Sequence, residues 1–100
     1  MKTPTETRTN LIRHATFSEL LAQKIIKLIT SISDVGSSRL IEIGCGTGIL
    51  AGMLAPKISE LVGIDTAPQC IELAKRTQQD LTNIKFLVQS ANAANSKLYR

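Results

Sequence analysis

A chain of 100 residues with 43% hydrophobic and 20% charged residues has the composition of one globular domain. Its net charge of +4 comes from basic residues spread along the sequence with no run longer than Lys75-Arg76, which argues against a nucleic-acid-binding patch. The longest apolar stretch, residues 40–55, contains Glu42 and four glycines, so it is too polar and too interrupted to span a membrane.

The N-terminal third of the chain predicts a polar arm followed by a helix. Residues 1–15 are rich in Thr, Arg and Asn and show little periodicity, so we expect a mobile arm. Thr16 and Glu19 have the spacing of a capping box. The apolar residues that follow recur at helical spacing: Phe17, Leu21, Ile25, Leu28 and Ile32. This pattern predicts an amphipathic helix over about residues 17–33, ended by the turn residues of 34–38.

The rest of the chain alternates short apolar segments with helical patterns. Residues 39–43, 61–64 and 84–88 predict buried strands. A two-turn helix is expected between the first two strands, stopped by Pro56. A second helix, capped by Thr66 and with Pro68 in its first turn, is expected before the third. Such alternation predicts an α/β fold with a Rossmann-like parallel sheet, in which strand order 3-2-1 forms one nucleotide-binding half.

The segment most indicative of function is the loop after the first strand. Glu42 lies inside that strand, and three alternating glycines follow it, Gly44, Gly46 and Gly48. A glycine-rich turn between a strand and a helix lets the backbone approach a ligand closely. The dinucleotide-binding fingerprint would place its third glycine at position 49, which is Ile49, and the Gly-Lys-Ser/Thr of a phosphate-binding P-loop is absent.

This loop resembles the first motif of class I S-adenosylmethionine (SAM) dependent methyltransferases, an acidic residue between apolar ones followed by Gly-x-Gly-x-Gly. The segment 61–65, with Asp65 at its end, resembles the second strand of that family. Segments 71–75 and 83–89 resemble the next helix and the third strand. The resemblance implies a SAM-binding methyltransferase domain over residues 16–100, incomplete because the sequence stops after the third strand.

The resemblance also implies the role of each cofactor-binding residue. The three glycines would lie under the methionine part of SAM, with Cys45 between them, and Glu42 would help to place the amino group. Asp65 would accept hydrogen bonds from the ribose hydroxyls, and Thr66 and Ala67 would touch the adenine. Where the family has an acidic residue for the adenine amino group, this chain offers Ser90 or Asn92. The predicted SAM-binding residues are therefore Glu42, Gly44, Cys45, Gly46, Gly48, Asp65, Thr66, Ala67, Ser90 and Asn92.

The two cysteines, Cys45 and Cys70, form no CxxC and have no histidine nearby, so we expect neither a metal site nor a disulfide framework. Both thiols are expected to be structural, in a reducing cytoplasm. No catalytic residue is predicted.

The missing second half leaves the methyl acceptor open. Segment 14–23 resembles the lead-in helix of biotin-pathway malonyl-carrier-protein methyltransferases, which makes malonyl carrier protein one candidate. The 100 residues alone are expected to be inactive, and the first strand, left at the sheet edge, is expected to promote self-association. Two alternatives remain: a non-catalytic nucleoside-binding or interaction module, and an NAD-binding half-domain, which Ile49 disfavours.

Overall fold

The structure, a computed structural model, describes the backbone of residues 4–92 and the side chains of residues 17–92. Its helices and strands, in chain order, are α1 (Pro4–Ile32), β1 (Arg39–Ile43), α2 (Ile49–Leu54), β2 (Glu60–Asp65), α3 (Pro68–Thr77) and β3 (Ile84–Val88). Short 3-10 turns at Val35–Ser37 and Ala55–Lys57 precede β1 and follow α2. Within this described part of the chain, no helix is long and apolar enough to cross a membrane.

The sheet is parallel and its strands lie in the order β1-β2-β3, which confirms the predicted order 3-2-1. Leu40 of β1 is in register with Leu61 of β2, which is in turn in register with Ile84 of β3. Residues in register on neighbouring parallel strands point to the same face of a sheet. Both crossovers run in the same direction along the sheet, and parallel crossovers are right-handed as a rule, so α2 and α3 are expected on one face. Both helices contribute residues to one core cluster, in agreement with this.

The core forms between that face and the two helices. Leu61 is fully buried and Phe86 is 6% exposed. They pack with the buried residues that α2 and α3 contribute, namely Ala51, Leu54, Ile71 and Ala74. Ile71 and Ala74 form the buried side of α3, whereas Cys70 is only half-buried. An apolar layer of this kind fixes the carboxyl ends of all three strands along one edge.

Helix α1 begins much earlier than the sequence pattern predicts. It starts at Pro4, so Thr16 and Glu19 lie inside the helix and the predicted capping box is wrong. Proline suits the first turn of a helix, where its missing N–H has no partner, and no glycine or further proline interrupts residues 5–32. The mobility expected of residues 1–15 stays a prediction, and residues 1–3 lie outside the described part.

Of the apolar stripe predicted for α1, only Ile25 packs against the core. Phe17, Leu28 and Ile32 are 76%, 65% and 77% exposed. The helix packs against α2 through Ala22 instead, which is 8% exposed and is flanked by the half-buried Ile25 and Ile26. A small residue at the contact allows close helix approach. Apolar side chains occupy more than one side of α1, so periodicity alone did not identify the packed one.

Candidate functional site

The three strand ends meet side by side at the carboxyl edge of the sheet. The N–H groups of Gly44 and Cys45 donate to the carbonyl of Ile64 at 2.8 and 2.9 Å, which fixes the loop after β1 against the end of β2. The N–H of Gln89 donates to the carbonyl of Asp65 at 3.0 Å and extends the pairing of β3 by one residue. In open parallel sheets, ligands bind at this edge.

The glycines of the loop divide into two kinds. All three adopt a positive φ, 76° at Gly44, 56° at Gly46 and 85° at Gly48. A Cβ built on Gly44 or Gly46 would meet no atom within 4 Å, so these two residues border open space. A Cβ on Gly48 would come within 3.0 Å of Ala74 and Phe86, so this glycine is required for packing against the core.

One carboxylate joins the glycine loop to the end of β2. Asp65 Oδ2 accepts a hydrogen bond from the Gly46 N–H at 2.9 Å, and Oδ1 accepts one from the Ala67 N–H at 2.9 Å. The bonds from Ala67 and then from Gly46 lower the pKa of Asp65, so its carboxyl is ionised at neutral pH. Each oxygen retains capacity for a further hydrogen bond, and the residue is partly exposed.

The start of α3 differs from its prediction. Thr66 was expected to cap the helix, but Ala67 is the N-cap residue and no side chain caps it. Asp65 instead bonds the Ala67 N–H, two residues ahead of it, and fixes the turn into the helix. Thr66 is exposed and Ala67 is half-buried beside the site.

Glu42 is a partly buried carboxyl without a hydrogen-bond partner for one oxygen. Glu42 is in register with Gly63 of β2, and Gly63 is in register with Phe86 of β3. The Glu42 side chain therefore lies on the same face of the sheet as Phe86. Its Oε1 is buried, and no donor among residues 17–92 reaches it. Burial raises the pKa of Glu42 to about 7, because removal from water disfavours the charged form. A cationic group arriving at this carboxyl would find an acceptor ready for it.

Cys45 packs rather than reacts. It is 7% exposed, and its Cβ and Sγ lie 3.1 Å from where a Cβ on Gly63 would stand. Burial first, then the negative charges of Glu42 and Asp65, raise the pKa of the Cys45 thiol to about 11. The thiol is therefore protonated at neutral pH and is not an activated nucleophile. Cys45 and Cys70 are both free.

A match to one sequence family covers more than half of the chain and decides the family to which the chain belongs. A family described as "Methyltransferase domain" matches residues 40–98, from β1 to beyond β3. The chain belongs to this family.

Individual methyltransferases agree with this membership. Trans-aconitate 2-methyltransferase of Pseudomonas aeruginosa is 32% identical over 73 residues, which cover 71% of this chain and 26% of that protein. Malonyl-acyl-carrier-protein O-methyltransferase of Bacillus cereus is 31% identical over 78 residues, or 74% of this chain and 28% of that protein. The chain thus spans only about a quarter of the length of these curated relatives.

Solved structures give the same fold. The N-methyltransferase NodS of Bradyrhizobium japonicum, in complex with S-adenosylhomocysteine, is 26% identical with a TM-score of 0.59. The match covers 72% of this chain and 36% of NodS. The predicted fold class, the SAM-dependent methyltransferase family and its cofactor are thereby confirmed for this domain.

The structure brings most of the predicted site residues of this methyltransferase domain together. The loop, Asp65 and Ala67 are in direct contact, and Glu42 lies below the loop in β1. Ser90 and Asn92 follow β3 and are exposed. Among the described histidine, cysteine, aspartate and glutamate side chains, no group of three could hold a metal ion.

Two glutamines at the site were missed by sequence reasoning. Gln78, at the end of α3, donates from Nε2 to the carbonyl of Gly48 at 3.2 Å and supports the loop from the helix side. Gln89 follows β3 directly, and its Oε1 is buried with no hydrogen-bond donor among the described side chains and backbone. A polar residue at the very end of an apolar strand was the signal available for Gln89, whereas nothing local indicates the contact of Gln78.

Proposed function

We propose that this chain is the cofactor-binding part of a SAM-dependent methyltransferase and that the loop of residues 44–48, Glu42 and Asp65 hold SAM. The observation that carries the proposal is the Asp65 carboxylate, which joins the glycine loop to the second strand end beside two glycines that border open space. This arrangement offers backbone surface, a fixed anion and a second carboxyl within one edge of the sheet.

The residues present fit the chemical groups of SAM. The ammonium of its methionine part suits Glu42, whose buried Oε1 has no partner in residues 17–92. The ribose hydroxyls suit the remaining acceptor capacity of Asp65. Gly44 and Gly46 provide the surface on which the methionine chain lies. SAM supplies an electrophilic methyl group when bound, and these residues act by orienting it.

The other predicted site residues have supporting roles in this proposal. Cys45 and Gly48 shape the loop from below, since both are buried. Thr66 and Ala67 form the wall beside the adenine, at the turn that Asp65 fixes. Ser90 and Asn92 stand after β3 on the same edge of the sheet.

The charges at the site favour SAM over NAD. NAD would bring two phosphates toward a region that contains Glu42 and Asp65, whereas SAM brings an ammonium and a sulfonium. A like charge placed near a partly buried carboxylate is disfavoured because the low dielectric strengthens the repulsion. The test is calorimetric titration of the purified chain with S-adenosylhomocysteine and with NAD. Tighter binding of NAD would contradict the proposal.

One methyl acceptor can be proposed for testing. Malonyl carrier protein is the acceptor we propose to test first, because a relative that matches 74% of this chain is named for it. The 100 residues alone are proposed to be inactive, since methyl transfer needs an acceptor held in line with the sulfonium. Incubation with labelled SAM and malonyl carrier protein, with Gly46→Pro as control, tests this. Label transfer above the control would contradict it.

Two further proposals concern self-association and the cellular compartment. Self-association is proposed through β1, which lies at the edge of the described sheet and ends in Ile43, 54% exposed. The cytoplasm is the proposed compartment, supported by two free thiols, Cys45 and Cys70, in a chain without other cysteines.

A further inference from the structure

Strand β3 forms one edge of the sheet, and its outer side pairs with no strand among residues 4–92. On its inner side, the carbonyl of Asn83 and the N–H of Gln89 bond groups of β2 at 2.9 and 3.0 Å. In a parallel ladder, every second residue directs both of its backbone groups to the same neighbouring strand. The backbone groups of Ile84, Phe86 and Val88 therefore point outward from the sheet.

A cavity of about 280 Å³ opens beside this free edge, between β3 and the end of α3. Leu81, Ile84 and Phe86 provide its apolar lining. Pockets for small molecules usually exceed about 300 Å³, so this cavity suits a single side chain of a larger partner. A strand added to the edge of β3 would direct every second side chain onto the face of Ile84 and Phe86, toward the cavity.

The charged side chains around the cavity are cationic. Lys75 of α3 and Lys85 of β3 line it, whereas no acidic residue does. Neither lysine forms an ion pair with a carboxylate of residues 17–92. Lys85 points to the face of the sheet opposite Phe86, because neighbouring residues of a strand alternate. A carboxylate that meets Lys85 would therefore be adjacent in sequence to the residue that fills the cavity.

These charges disfavour a second copy of this chain at the same edge. Pairing of two β3 strands would bring Lys75 and Lys85 of both copies together, and like charges across a strand pair are destabilising. Lysine on an edge strand opposes self-pairing for this reason. A strand from another protein that carries carboxylates has the complementary charge.

We propose that the outer edge of β3 binds an extended acidic segment of another protein, which adds to the sheet as a further strand. Its backbone bonds the outward groups of Ile84, Phe86 and Val88. One large apolar side chain fills the cavity, the flanking carboxylates approach Lys85, and Lys75 adds to the attraction from α3. In binding by strand addition, backbone hydrogen bonds supply affinity and pockets for alternate side chains supply specificity.

The test uses a capped hexapeptide, Ser-Glu-Leu-Glu-Val-Ser, and hydrogen exchange of the wild-type chain followed by NMR. At millimolar peptide, exchange of the outward amides of Ile84, Phe86 and Val88 should slow at least about tenfold, because a bonded N–H exchanges only when the structure opens. The amides of Lys85 and Leu87 should change little, since they already face β2. The same peptide with N-methyl groups on leucine and both glutamates should give no protection.

The contribution of charge is tested with a second peptide, in which lysine replaces both glutamates. It should bind the wild-type chain several-fold more weakly. Lys85→Glu should reverse the preference between the two peptides. Lys24→Glu, the same change at an exposed position of α1, should leave the preference unchanged. Urea unfolding of both variants should stay close to that of the wild type, which shows that the fold is kept.

Three results would overturn the proposal. Absence of protection at millimolar peptide would show that the edge binds no such strand. Equal binding of the glutamate and lysine peptides, or binding of the N-methylated peptide, would show that neither charge nor backbone pairing selects the partner. Protection of the outward amides that rises with protein concentration, without any peptide, would identify a second copy of this chain as the occupant.

Discussion

Asp65 organises the site before any ligand arrives, because its two oxygens bond backbone groups of the loop and of α3. Asp65→Asn keeps the size of the side chain but removes the charge and one acceptor. We expect affinity for S-adenosylhomocysteine to fall at least about tenfold, as charge-assisted hydrogen bonds are lost. Asp80→Asn, the same change at an exposed position, is the control. Calorimetric titration measures the effect, and equal affinities in the two variants would show that Asp65 does not bind the ribose.

Glu42 makes stability and binding depend on pH in opposite directions. Its folded pKa of about 7 lies above the ordinary value of 4.5, so the unfolded chain releases this proton first. The stabilising contribution is therefore complete below pH 4.5 and is lost as the pH rises through about 7. Denaturant unfolding across this range should show the decline in the wild type and not in Glu42→Gln.

Binding of the SAM ammonium needs the ionised carboxyl of Glu42. Well below the folded pKa of about 7, affinity for S-adenosylhomocysteine should therefore fall roughly tenfold for each further unit by which the pH is lowered. In Glu42→Gln the affinity should be lower at neutral pH and independent of this titration. A wild-type affinity that is flat from acid to neutral pH would show that Glu42 does not meet the ammonium.

At the scale of elements, Gln78 links the end of α3 to the start of α2. Its Nε2 bonds the Gly48 carbonyl at 3.2 Å, and a Cβ on Gly52 would collide with its side chain. In Gly52→Ala, the flexible Gln78 should turn away and lose this bond. Loss of this hydrogen bond lowers the stability by about 1 kcal/mol. The higher helix propensity of alanine raises it by about 1 kcal/mol relative to glycine, so the two effects offset each other.

Unfolding of Gly52→Ala in urea should therefore stay close to that of the wild type, while affinity for S-adenosylhomocysteine falls by several-fold because the loop is less constrained. Gly36→Ala is the matched control, since its added Cβ would have an ordinary contact of 3.7 Å with Asp34. Unchanged ligand affinity in Gly52→Ala would show that Gln78 does not position the loop.

The elements that were predictable are those whose signals are local. The strand 84–88 was predicted with the bounds that the structure gives, because an apolar run sits between polar turns. The loop was predictable from its glycines, whose positive φ few other residues adopt. The buried side of α1 was not predictable, because α1 packs through the small Ala22 while the large apolar Phe17 is exposed. Gln78 was not either, because its partner Gly48 is 30 residues away in the sequence.

At the scale of the whole molecule, the free edge of β1 should decide the state of association. Ile43→Lys places a charge at the end of this edge strand, which opposes pairing with a second copy. We expect light scattering to show less self-association than in the wild type. Ile49→Lys is the control, because Ile49 is 55% exposed, close to the 54% of Ile43, but lies in α2 rather than on the strand. Equal association of both variants would assign the contact to another surface.

The hydrogen bond between Gly46 and Asp65 joins residues 19 positions apart in the sequence. It can form only after β1 and β2 have paired, and pairing of parallel strands requires the crossover between them to be in place. Helices form within microseconds from local contacts, whereas such pairing waits for loop closure. During refolding, the capacity to bind the cofactor should thus appear after the helical signal, together with completion of the sheet.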